Sequence, residues 1–149
     1  MIADESTQEA WFRAHVHQLV TEVFGELEPD EDGDYFVHGE TCGGWIKPMP
    51  TGPGGVVISI QVAGLTPNRV GVLREINDAN RANPAIKVSR WPDGTVCASW
   101  FLAAQGLSAP MLEFAVMNVL AVAEELGPLL TAVHGGILPR QPEIDQEVA

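Results

Sequence analysis

Val56-Val57-Ile58-Ser59-Ile60-Gln61-Val62-Ala63 runs into Gly64-Leu65-Thr66-Pro67-Asn68-Arg69-Val70-Gly71-Val72-Leu73-Arg74-Glu75-Ile76, and across that junction the apolar period changes. In the first half Val56, Ile58, Ile60 and Val62 alternate with Val57, Ser59, Gln61 and Ala63. That is a strand with one face buried and the other partly wet. In the second half Thr66 reads as an N-cap and Pro67 as the first helical residue. Leu65 and Val70 are spaced to staple the helix start, and Leu73, Ile76, Asn77 and Asn80 share one side of it. The helix is expected to stop before Asn83-Pro84, because the residue before a proline leaves the α region.

Working outward, Ser6 and Glu9 have the spacing of a capping box. Phe12, Val16, Leu19, Val20, Val23 and Leu27 then recur at helical steps until Glu28-Pro29 stops the helix. Asp30-Glu31-Asp32-Gly33-Asp34 is a turn that leads into Tyr35-Phe36-Val37-His38, and Trp45-Ile46-Lys47-Pro48-Met49 makes a second short strand. With Val56-Ala63 these form an antiparallel meander, Pro48 confining the middle segment to an edge or a bulge. Downstream, strands at 86–91 and 95–102 meet at the Pro92-Asp93-Gly94 turn. A last helix starts at Ser108 with Leu107 and Leu112 as a staple, and Gly127-Pro128 is expected to break or kink it. The order α-β-β-β-α-β-β-α is an α+β fold, a twisted, mainly antiparallel sheet with helices packed on it. We expect a single domain over 1–138 and a flexible acidic tail over 139–149.

Composition narrows the function. Of 149 residues 20 are Asp or Glu and 8 Lys or Arg, a formal net charge of −12, while 46% of the chain is hydrophobic. The apolar fraction is too high for a disordered acidic tail. The charge argues against nucleic acid as a general partner. The N-terminus lacks the basic and apolar regions of a secretory signal, and the longest near-continuous apolar run, 114–123, is half the roughly 20 residues a membrane span needs. Cys42 and Cys97, without a Cys-x-x-Cys, read as buried free thiols. A cytoplasmic protein with no membrane partner is the expectation.

Chemistry-bearing motifs are sparse. Asp30, Asp32 and Asp34 occupy the first, third and fifth positions of a calcium loop, but Tyr35 and Thr41 stand where Gly and Glu are required. His15 and His17 fall on different helical faces, and His38 and His134 are not spaced with other ligands. The glycines of 52–55 lack the Lys-Ser/Thr of a phosphate loop. No nucleophile elbow or dinucleotide fingerprint is present. We therefore expect no metal, no cofactor and no catalytic residue.

Charge is segregated along the chain. Glu22, Glu26, Glu28, Asp30, Glu31, Asp32, Asp34 and Glu40 crowd the end of the first helix and the first hairpin. Arg69, Arg74, Arg81, Lys87 and Arg90 lie in the second helix and the strand after it. Glu26, Glu28, Asp30 and Glu31 thus form a candidate docking surface for a basic partner segment, or a solubilising end. On the last helix Leu112, Val116, Val119, Leu120, Ala123 and Leu126 form one face, while Phe114, Met117, Ala121 and Val122 make the other side apolar too. A helix apolar nearly all round is covered on both sides, here by the core and either by another helix or by a partner or second copy. Trp45, Trp91 and Trp100 on the short strands are the aromatic candidates for contacting a peptide, Trp45 and Trp91 foremost.

The element order resembles that of the YbjN-like and type III secretion chaperone-like proteins of actinobacterial type. The residues that carry the likeness are Asp32-Gly33-Asp34-Tyr35, Val72-Leu73-Arg74-Glu75-Ile76-Asn77-Asp78-Ala79-Asn80, Asp93-Gly94-Thr95-Val96 and Gly135-Gly136. The resemblance covers about 6–136. It implies a non-enzymatic, homodimeric, chaperone-like or regulatory module that binds extended segments of a protein client. Carried over, it points to Phe12, Val16 and Leu19 on the first helix and to Trp45 and Ile46 on the sheet. Two other readings stand beside it. One is a small-molecule-binding or enzymatic domain with an enclosed pocket at His38, Glu40 or Asp93. The other is a structural subunit of an assembly.

Overall fold

The computed structural model describes residues 5–52 and 54–142. Helix α1 (Glu5–Phe24) precedes strands β1 (Tyr35–His38), β2 (Gly43–Met49) and β3 (Gly55–Ala63). Helix α2 (Val70–Ala82), strands β4 (Lys87–Arg90) and β5 (Val96–Ala103), a 3-10 turn (Ala104–Gly106) and helix α3 (Ala109–His134) complete the order. The α+β class and the element order are those expected from the periodicity.

All strand pairs are antiparallel, and the sheet order is β1-β2-β3-β5-β4. Only the insertion of β5 between β3 and β4 departs from sequence order. Val56, Ile58, Ile60 and Val62 are fully buried, together with Ile46, Val96 and Ala98 on neighbouring strands. α3 lies over β3 and β5 on this face, with α1 packed beside it toward β2 and α2 beside it toward β4. The other face carries Phe36, Trp45, Met49 and Phe101, each substantially exposed.

Several local expectations are corrected. α1 already includes Ser6, so that residue lies within the helix and not before it, and α1 ends at Phe24, where Gly25 takes a φ of 79°. Thr66 does not cap α2, which starts four residues later behind Arg69. Its buried hydroxyl instead donates to the Gly94 carbonyl at 2.7 Å and accepts from Arg90 Nε at 3.1 Å, while Arg90 Nη2 reaches the Thr66 carbonyl at 2.7 Å. Tying the β3–α2 connection to the β4–β5 turn outweighs the local cap. Leu65 and Val70 are both about two-thirds exposed and form no staple. Val72 and Ile76 supply the buried side of α2, with Leu73 facing solvent.

Ser108 does cap α3, accepting from the Met111 N–H at 3.2 Å. Pro128 does not break that helix, which continues to His134. A side chain at Gly127 would come within 2.7 Å of the Val62 carbonyl, so this glycine lets the helix lie directly against β3. Packing of the whole helix against the sheet outweighs the one bond that Pro128 removes. By length and composition alone α3 would suffice to cross a membrane, but Leu112, Val116, Val119, Ala123, Leu126 and Leu130 are buried in the core. Beyond α3, Ile137 makes a two-residue bridge with Gly64, and the Arg140 N–H donates to the Thr41 carbonyl at 3.2 Å. Most of the expected tail, 143–149, lies outside the described residues.

Candidate functional site

Beside β1 the three layers leave a space. One side of this strand is bonded to β2, and among the described residues no strand lies on the other. Along that edge runs an open groove of about 600 Å³. Phe24 and Leu27 wall it from the end of α1, Met117, Leu120 and Ala121 from α3, and Phe36 and Val37 from β1. The end of α1 and the outer side of α3 are apolar because both keep hydrophobic residues past the stripe that faces the core. α1 contributes Leu27 after the helix has ended, and α3 contributes Met117 and Ala121 on the side turned away from β3.

Glu124 closes one end of the groove together with His38, Gly39 and Glu40. Its carboxylate accepts from the Thr41 N–H and from Thr41 Oγ1, both at 2.9 Å, and from Cys42 Sγ at 3.1 Å. Burial opposes its ionisation, but these donors outweigh burial and hold the carboxyl below its ordinary value. Burial, the hydrogen bond to Glu124 and the Glu124 charge push the Cys42 thiol up to about 12. This group is a clip that fixes loop 39–42 to α3. A thiol kept protonated in this way is no nucleophile.

Between α1 and β1 the acidic run forms a turn. Asp30 Oδ1 accepts from the backbone N–H groups of Asp32 and Asp34, both at 2.9 Å. Burial raises the Asp34 pKa; Lys47 opposes that shift, and the Asp30 and Asp32 charges add to it. The carboxylates of Asp30, Asp32 and Asp34 lie within 4.8 Å of one another. With one Asp30 oxygen committed to the turn and two of the three residues exposed, the spacing is that of an Asx-type turn, not an enclosed cation cage. Glu26, Glu28, Asp30 and Glu31 are all exposed.

The residues singled out from sequence are dispersed. Phe12, Val16, Leu19 and Ile46 are core residues, each at most 8% exposed. They support the site from beneath and offer no free surface in this conformation, because the stripe of α1 is spent on packing against α3 and β2. Trp45 is half-exposed on the open face of the sheet, edge-on to Phe36 with ring centroids 5.6 Å apart. Trp91 is exposed beyond β4, at the opposite edge of the sheet. The two tryptophans therefore do not share a site. His38 and Glu40 do line the groove, whereas Asp93 sits in the β4–β5 turn and accepts from the Thr95 N–H at 2.9 Å. Phe24, Leu120 and Glu124 were not singled out as site residues. The apolar outer side of α3, with Met117 and Ala121, was the signal that pointed to them.

Helices on one side of a five-stranded antiparallel sheet, in this order, are the fold of the secretion chaperones. The chain belongs to the family described as T3SS (YopN, CesT) and YbjN peptide-binding chaperone 1, TY-Chap1, whose model matches residues 10–142. Among solved structures, ExsC in the ExsC–ExsE complex is similar at 21% identity and a TM-score of 0.65, over 79% of this chain and 95% of that one. The Yersinia pestis type III secretion chaperone SycH, solved with a stable fragment of YscM2, shares 17% identity with a TM-score of 0.58, over 77% and 98%. YbjN from E. coli shares 14% identity with a TM-score of 0.61, over 85% and 95%. At these identities the likeness establishes the shared fold. No curated protein sequence matches the chain.

Proposed function

We propose that this protein is a non-enzymatic peptide-binding chaperone that holds an extended apolar segment of a client along β1, with client side chains in the groove. The observation that carries this reading is the juxtaposition of an open, mostly apolar groove with a sheet edge that has no strand beside it. An edge strand offers main-chain hydrogen bonds to any extended sequence, and pockets for alternate side chains supply selectivity. Membership of a family described as peptide-binding supports the reading. So do two fold relatives solved with a second protein, ExsE and a YscM2 fragment. The test is selection from a displayed random-peptide library with the wild type and with Ala121→Trp, which fills the groove from an exposed helix position. An extended apolar consensus that binds the wild type and loses most affinity for the folded variant is expected. Enrichment of nothing, or binding indifferent to the variant, overturns the proposal.

A homodimer in the cytoplasm is the setting we propose. The exposed Phe36, Trp45, Met49 and Phe101 on the uncovered sheet face support self-association. Two free thiols, Cys42 and Cys97, suit a reducing compartment. Light scattering at micromolar concentration checks the first point, and a monomer there ends it. Cell fractionation checks the second.

The groove volume also lies within the range of about 300–1,000 Å³ typical of small-molecule sites. An apolar small ligand is the second reading. Displacement of a bound peptide by small apolar compounds, with no peptide consensus found in the selection, would favour it.

A further inference from the structure

Resting on the groove reading above, we propose that the segment it takes is basic as well as apolar, with a Lys or Arg close on either side of the apolar residue that enters the groove. The argument is one of charge placement. Leu27, which lines the groove, is flanked by Glu26 and Glu28, both exposed. Glu40 and Glu124 are themselves lining residues. Carboxylates therefore border the apolar wall both beside Leu27 and beside the end of β1.

None of these four acids is held in an ion pair within the described residues. Among the described residues Arg13 pairs with Glu9, and His134 Nε2 lies 3.7 Å from a Glu75 carboxylate oxygen; Glu26, Glu28, Glu40 and Glu124 take part in neither contact. Arg140 lines a neighbouring cavity with His38, Gly39 and Glu40, and Arg13 lines another with Glu28, without either base closing an ion pair on these acids among the described residues. Exposed Arg69, which precedes α2, Arg74 and Arg81 on α2 and Lys87 on β4 stand toward the far edge of the sheet from β1. A concave apolar wall bounded by one sign of charge focuses its field into the groove. An incoming cation is then favoured, and a second anion is repelled. The Glu124 carboxylate is held ionised by its donors, so that charge is fixed in place before any segment arrives.

The experiment uses three fluorescein-labelled peptides of one design, Gly-X-Val-Leu-Val-Leu-X-Gly, with X as Lys, Gln or Glu. Anisotropy titrations are run on the full chain, on Ala121→Trp and on the triple variant E26Q/E28Q/E40Q, with folding checked by circular dichroism. The Lys peptide should bind about tenfold tighter than the Gln peptide, and the Glu peptide more weakly than either. That advantage should shrink as salt rises from about 50 to 500 mM. It should also fall to about twofold or less in the triple variant, read there as the ratio of Lys-peptide to Gln-peptide affinity. Equal affinity of the Lys and Gln peptides, both sensitive to Ala121→Trp, overturns the charge proposal and leaves the groove reading standing. Failure of all three to bind, or binding unaffected by Ala121→Trp, overturns both.

Discussion

The carboxylate of Glu124 on α3 accepts a hydrogen bond from the backbone N–H of Thr41, 83 positions earlier in the chain, at 2.9 Å. With the Thr41 hydroxyl and the Cys42 thiol on the same carboxylate, one side chain satisfies three donors of the loop that leaves β1. The clip thus positions the groove's end as well as stabilising the fold.

Removing it with Glu124→Ala leaves these donors at two buried residues without their acceptor. The expected loss is about 1–3 kcal/mol in urea unfolding, with faster amide exchange confined to loop 39–42. The pH dependence follows from the depressed pKa. The Glu124 contribution is present above the ordinary value of 4.5 and is lost as pH falls through the lower folded value. The stability gap between wild type and Glu124→Ala should therefore narrow in acid. A gap that does not change with pH would mean that the carboxylate charge has no part in the clip.

Cys42 should be silent toward thiol reagents in the folded protein. It is fully buried, and its thiol is pushed up to about 12 by burial and by Glu124. Cys97 is partly exposed, with burial followed by the Asp93 charge raising its pKa. Iodoacetamide at pH 8 with peptide mapping should label Cys97 slowly and Cys42 only after denaturant is added. Prompt labelling of Cys42 under native conditions would show that the clip opens.

Leu65 is a non-glycine residue at φ 52°, where a side chain costs about 1–2 kcal/mol. It is held there because Gly64 on one side bridges to Ile137 and Thr66 on the other is tied to Gly94. Since the Leu65 side chain is two-thirds exposed, Leu65→Gly should remove strain and lose little packing. Thermal and urea unfolding should show a gain of up to about 1 kcal/mol. A loss would show that Leu65 makes a contact worth more than the strain.

Gly127→Ala places a methyl group 2.7 Å from the Val62 carbonyl. Elsewhere in a helix the same change stabilises by about 0.5–1 kcal/mol. Here it should destabilise by about 1–3 kcal/mol, because α3 must move off β3. Equilibrium unfolding distinguishes the two signs directly.

Much of the architecture was legible because it depends on periods and breakers that act within a few residues. The alternation from Val56 to Val62, the Pro92-Asp93-Gly94 turn and the Ser108 cap each express a local preference that the fold keeps. The expectations that failed were local preferences with a competitor distant in sequence. Thr66 has the chemistry of a cap, but Gly94 and Arg90 offer it buried partners. Pro128 has the chemistry of a breaker, but Gly127 seats α3 on β3.

By itself, then, the sequence determined the α+β class, the element order, the apolar excess on α3 and the concentration of acid after α1. Those properties are carried by residues near one another along the chain. Tertiary structure alone decided that β5 inserts between β3 and β4 and that β1 is left as an edge. It also decided that Phe12, Val16, Leu19 and Ile46 are core. The groove arises where α1, β1 and α3 meet, and Thr41 and Glu124 come together only there. A concave surface is a property of packed layers: no periodicity in one segment specifies what another segment, dozens of residues away, will leave uncovered.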